Sequence, residues 1–175
     1  MGKEKKKEIG VLGGGRQLLR IDYSGVYDLN ALLQTIKGFF LEKKYGIIDE
    51  EHTESVKPDG RGIKIVMKPF RDIDEYVKFQ IAVELLIWRS LDVVMEEASG
   101  KKIRKQKGDI EFRFKATMIK NYKKTFAENK LSELMRQTYE KYIIKKRLLD
   151  YEDKLYNEAQ DLVSRIKRTL NLHSR

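Results

Sequence analysis

An α+β fold built on one antiparallel sheet is predicted by three features of the chain. The first is Tyr76 to Met95, where Val77, Phe79, Ile81, Val83, Leu85 and Ile87 alternate with Lys78, Gln80, Ala82 and Glu84. A period of two places one side of a β-strand in a core. The second is a set of shorter alternating runs on either side of it. The third is a change to helical spacing after about residue 127. Together they predict a sheet of about five or six strands packed against a first helix and long C-terminal helices.

The central run exceeds the usual strand length of about 3–10 residues. A bend, bulge or break is therefore expected near Trp88 to Ser90. Beyond Arg89 the odd positions continue with Leu91, Val93 and Met95, as if on the same face.

Residues 1–15 begin with Lys3, Lys5, Lys6 and Lys7 and end in Gly13-Gly14-Gly15. They read as a flexible basic, Gly-rich tail, and 16–175 as the domain. The glycines are no dinucleotide fingerprint, which needs a strand before it and a helix after it. Gln17 to Tyr27 alternates as a strand, and Gly25 marks a bulge or close approach. Asp28 is placed as an N-cap. Leu29, Leu32, Leu33, Ile36 and Phe40 then trace one face of a helix over about 29–44, with Gly46 as its stop. Residues 47–57 read as an acidic edge strand. Pro58-Asp59-Gly60 is a turn, and Gly62 to Lys68 the second strand of a hairpin. Residues 69–75 are a connection. Glu97 to Gly108 reads as a turn carrying Lys101, Lys102, Arg104, Lys105 and Lys107, five cations in seven residues with no acid among them. Ile110, Phe112, Phe114, Ala116 and Met118 form the last strand. Leu131, Leu134, Met135, Tyr142 and Ile143 mark one helical stripe, and Leu155, Ala159, Leu162, Ile166 and Leu170 a second. Two helices, about 128–147 and 150–171, account for them.

Composition limits the chemistry. The absence of Cys rules out disulfides, Cys-ligated metals and thiol nucleophiles. His52 and His173 stand far apart without carboxylates at metal-binding spacing, so no metal site and no cofactor is expected. Ser24, Ser55, Ser90 and Ser99 lie in no nucleophile motif, and no catalytic residue is predicted. No apolar run reaches the roughly 18 residues of a membrane span, and no signal-like segment follows the charged N-terminus. A soluble cytoplasmic protein without membrane partners is the expectation. Charged residues are 37% of the chain, a composition that leans toward a thermophile.

Charge is uneven. The first hundred residues hold 16 Lys/Arg against 17 Asp/Glu, while the last 75 hold 21 against 10. Such asymmetry points to a polyanion. The hairpin cluster Lys101, Lys102, Arg104, Lys105 and Lys107, supported by Lys145, Lys146 and Arg147, is the expected phosphate contact. Tyr139, Tyr142, Tyr151 and Tyr156 lie on the C-terminal helices, where packing on the sheet is the simpler role. Glu84 and Arg89 are the polar residues of the central strand expected to be partly buried, with Arg113 or Lys115 pairing Glu84 across the sheet.

The stretches Gly13 to Gly25, Tyr76-Val-Lys-Phe-Gln and Lys141-Tyr-Ile-Ile-Lys145 resemble those of a small family of archaeal proteins without assigned function. That resemblance implies an archaeal, cytosolic origin and brings no functional residues. The order strand, helix, antiparallel meander, long helix is also similar to the helix-grip fold of lipid-transfer and polyketide-cyclase-like proteins, which enclose an apolar cavity. The leading expectation is a non-enzymatic basic protein that touches RNA, in one form ribosomal RNA. A helix-grip-like carrier of a small apolar ligand is the alternative, and a self-associating homodimer the third reading.

Overall fold

A computed structural model describes residues 8–12, 19–46, 50–96, 102–124, 126 and 130–172. The elements are β1 (Glu8–Leu12), β2 (Leu19–Tyr27), α1 (Leu29–Glu42), β3 (Glu50–Lys57), β4 (Gly60–Met67), β5 (Phe70–Asp72), β6 (Val77–Glu96), β7 (Lys102–Lys120), α2 (Lys130–Thr138) and α3 (Lys145–Thr169), with a π-helical turn, Tyr139–Ile143, between the last two. The fold is α+β, and all strand pairs are antiparallel.

Among the described residues the sheet has seven strands, against an expected five or six. One addition is β1, which pairs with Ala116–Ile119 of β7, so residues 8–12 belong to the sheet and not to a tail. The other is β5, three residues inside the expected connection, paired with Lys78–Gln80. Because β6 and β7 are so long, each carries two short strands along one edge. β1 and β2 follow one another along β7, and β4 and β5 along β6.

One face of the sheet is the core. Phe79, Ile81, Val83, Leu85 and Ile87 of β6 meet Phe112, Phe114, Ala116 and Met118 of β7 and Ile63, Ile65 and Met67 of β4. Over them lie α1, through Leu32, Ile36, Phe39 and Phe40, and α3, through Leu155, Ala159, Leu162 and Ile166. The second predicted stripe is thus spent inside its own chain, with Leu170 4% exposed at its end. Asp28 caps α1 by accepting from the Ala31 N–H at 3.0 Å. The helix ends without help from glycine: Lys44 takes the left-handed conformation (φ 59°), and Gly46 instead bridges to Phe70.

The opposite face carries a ladder of ion pairs across four strands. Arg20 reaches Glu111 at 3.2 Å, Arg113 reaches Glu111 at 2.5 Å and Glu84 at 3.4 Å, and Lys64 reaches Glu84 at 3.1 Å. Glu84 therefore has the cross-sheet partner its position predicts, Arg113.

The β6 strand bends where its length requires. Arg89 and Ser90 together oppose Gly108, a β-bulge between the pairs Trp88–Asp109 and Leu91–Lys107. Arg89 has φ 54°. Gly108 is needed there, since a Cβ on it would lie 2.8 Å from the Trp88 carbonyl oxygen. The bulge turns Ser90 inward, where its hydroxyl is 2.9 Å from that of Tyr27. It turns Arg89 outward, so Arg89 is exposed, contrary to expectation, and pairs with Asp109.

Two buried polar clasps tie the helices to the sheet. In one, Arg71 of β5 holds Glu158 of α3 with two hydrogen bonds of 2.8 and 2.9 Å, and the Tyr45 hydroxyl donates to the same carboxylate at 2.9 Å. In the other, Glu140 of the π-helical turn accepts from Tyr76 at 2.5 Å and from Lys120. Burial first, and then the neighbouring carboxylate, push both phenols well above the ordinary tyrosine range. The folded chain holds these two protons more tightly than the unfolded chain does. Their contribution to stability is therefore complete below about pH 10 and is lost as pH rises past it, at roughly 1.4 kcal/mol per pH unit for each phenol. Unfolding by denaturant at a series of pH values should show this loss, and the double variant Tyr45→Phe, Tyr76→Phe should flatten it. Equal slopes in both proteins would remove the tyrosines as its source.

Candidate nucleic-acid interface

The β6–β7 hairpin outruns the sheet. The last pair between β4 and β6 is Arg61–Ser90, and the last between β2 and β7 is Tyr27–Gln106. Beyond them Val93–Glu96 and Lys102–Lys105 pair only with each other. Four residues of extended chain make an arm of roughly 13 Å. Lys102, Arg104 and Lys105 lie on this arm, with Lys107 at its base paired to Val26 of β2, and all four are in strand β7 and not in a turn, because the ladder runs through to Glu96–Lys102. Lys101 lies outside the described residues.

Pairing sorts the arm into two faces, since residues directly opposite in an antiparallel ladder share a side. Lys102, Arg104 and Gln106 stand with Glu96, Val94 and Asp92. Ile103, Lys105 and Lys107 stand with Met95, Val93 and Leu91. Lys102, Arg104 and Lys107 are exposed, and Lys105 is half-buried. Among the described residues no carboxylate lies within ion-pairing distance of any of these four. By contrast, Arg20, Arg61, Arg71, Arg89, Arg113, Arg136 and Arg165 each face a carboxylate. Asp92, an acid at the base of the arm, is held by Arg61 at 2.6 Å.

The arm also presents apolar side chains that the alternation places inside. Leu91, Val93 and Met95 keep the odd numbering of Ile87, but the bulge adds one residue and moves them to the face of Trp88. A one-residue shift does this to every side chain that follows. Trp88, Leu91, Val94 and Met95 are exposed. An alternation and a bulge, both readable in the sequence, together imply this inversion.

Lys145, Lys146 and Arg147 are not brought to the arm. They form the first turn of α3, all three exposed. This end of α3 sits at the start of β6, where Arg147 approaches Asp74 at 3.9 Å and the Tyr151 hydroxyl donates to Asp74 at 3.2 Å. The 15 residue-to-residue steps of β7 from Lys105 to Lys120, which bonds Glu140 just before α3, separate the two clusters by about 50 Å. Three cations at the positive end of a helix dipole do not stabilise the helix.

His52 is exposed on β3, and His173 lies outside the described residues. Among the described residues no cluster of three His, Asp or Glu is placed to hold a metal ion, and no helix is long and apolar enough to cross a membrane. Comparison with protein-family models, with curated proteins and with solved structures finds no match for the chain.

Proposed function

We propose that this chain is a non-enzymatic binding protein that holds RNA through its phosphates, with the β6–β7 arm as the contact. The observation that carries this reading is the arm itself: Lys102, Arg104 and Lys105 stand on a projecting two-stranded ribbon with Lys107 at its base, and none of the four faces a carboxylate among the described residues. Arg104 differs in this from Arg20, Arg61, Arg71, Arg89, Arg113, Arg136 and Arg165, each of which meets an acid. Cations left unmatched on a protrusion repel one another, and a polyanion relieves that repulsion while releasing its counterions. A basic ribbon can also track the backbone of a single strand.

Phosphate contacts position a nucleic acid without reading its sequence. On a single strand, log K should fall with log salt by about 0.7 per contact, so Lys101 and the four described cations give a slope near about −3.5. The test replaces Lys101, Lys102, Arg104, Lys105 and Lys107 with Ser or Gln and titrates short RNA at several salt concentrations. The variant should stay folded, lose affinity for all sequences alike and show a flattened slope. Replacing Lys145, Lys146 and Arg147 should leave the binding of an oligonucleotide short enough for the arm unchanged, given their separation. No binding by the wild type at low salt, or an unchanged slope in the five-site variant, ends the RNA reading.

A further inference from the structure

The segment Lys130–Ile143 is a helix turned inside out. Leu131, Leu134, Met135 and Thr138 follow the i, i+3, i+4, i+7 spacing of one helix face. That spacing predicts burial against the sheet. The structure exposes the face instead: Leu131 is 69% exposed, Leu134 61% and Met135 55%. The polar side faces the protein, with Arg136 and Glu140 each 11% exposed and Glu140 bonded to the buried Lys120. The π-helical turn, closed by the Ile144 N–H donating to the Tyr139 carbonyl at 3.1 Å, is where Glu140 is aimed inward. Tyr142 and Ile143 stay outside at 71% and 70% exposure. The demand of Lys120 and Tyr76 for a carboxylate has fixed the orientation of the whole segment.

We infer that this face is the contact between two copies of the chain. Five large side chains at that exposure leave on the order of 600 Å² per copy, so two copies meeting through the same face would bury roughly 1,200 Å², enough for a specific interface. The face is also self-complementary. Its apolar residues fall into two groups about Thr138, namely Leu131, Leu134 and Met135 before it and Tyr142 and Ile143 after it. An antiparallel pairing about a two-fold axis at Thr138 seats the first group of each copy on the second group of the other. Carboxylates are not stranded there, because Glu133 is engaged by Arg136 and Glu140 by Lys120.

The test begins with sedimentation from micromolar to millimolar concentration, where the wild type should pass from monomer to dimer. Leu134→Asp should weaken association by about 30-fold or more. Since Leu134 is exposed, its circular dichroism spectrum should be unchanged. A second variant does not depend on the first. The chain has no Cys, so Thr138→Cys introduces its sole thiol, and mild oxidation should give a covalent dimer through that pair. Adding Leu134→Asp should suppress the cross-link. A wild type that stays monomeric across the range, a Thr138→Cys protein that does not cross-link, or a monomer that instead floats with phosphatidylserine vesicles through this face would each overturn the inference.

Discussion

Replacing Glu158 with Ala should cost about 3–5 kcal/mol, the loss expected when one partner of a buried ion pair is removed. The carboxylate accepts two hydrogen bonds from Arg71 and one from Tyr45. The side chains of Arg71 and Glu158 are only 16% and 11% exposed. Without Glu158 the guanidinium keeps its bond to the Lys43 carbonyl and its place over the Tyr45 and Phe79 rings, but its charge is buried without a counter-charge. Against a typical total stability of about 5–15 kcal/mol, this loss is large. The double replacement Arg71→Met, Glu158→Leu should cost much less than the single one, because it removes both charges and keeps the volume. Denaturant titration with an unchanged m-value is the measurement. A cost under about 1 kcal/mol for Glu158→Ala would mean that the clasp is not formed.

Ile81→Ala should cost about 2–5 kcal/mol, and Leu91→Ala less than about 0.5 kcal/mol. Both positions belong to the same odd-numbered apolar series in one strand. Ile81 is 1% exposed, opposite Ala116 in the middle of the core face, and Leu91 is 55% exposed beyond the bulge. Deleting Ile81 atoms leaves a cavity between the sheet and the helices above it, while deleting Leu91 atoms changes only hydration. The same denaturant titration compares the two. Similar costs would mean that the bulge does not invert the strand and that Leu91 is buried with Ile81.

Much of the architecture is written in local pattern. The period of two in Val77–Ile87 and Ile110–Met118 names the two central strands. Pro58-Asp59-Gly60 marks the turn of the β3–β4 hairpin, and Asp28 the start of α1. The stripe Leu155 to Leu170 names the helix that covers the sheet. Even the bulge near Trp88 to Ser90 follows from the length of the run. Two elements escape this reading because they are too short or too polar to show a period: β5 has three residues, and β1 follows a charged segment. Both are recruited by the free edges of strands far longer than their neighbours. The joint between the two expected helices, 128–147 and 150–171, is expected at 148–149 and lies instead at Ile144, where the π-helical turn ends.

The candidate contact surface was read in part. The cations Lys102, Arg104, Lys105 and Lys107 are named by composition, but not the place of the first three on a paired strand clear of the sheet, with Lys107 at its base. Nor does sequence show that Lys145, Lys146 and Arg147 stand about 50 Å away along the sheet. Periodicity states that a face is apolar; it does not state which way that face turns. At Leu91 and Met95 one extra residue in the strand reverses the direction. At Leu131, Leu134 and Met135 the burial of Lys120 and Tyr76 does so, because a buried cation must have a carboxylate and Glu140 lies on the opposite side of the helix. Local sequence therefore sets where strands and helices form, since that depends on spacing along the chain. The direction in which each apolar face points was settled only by tertiary structure, because it depends on partners distant in sequence: Gly108 opposite the bulge, and Lys120 beneath the helix.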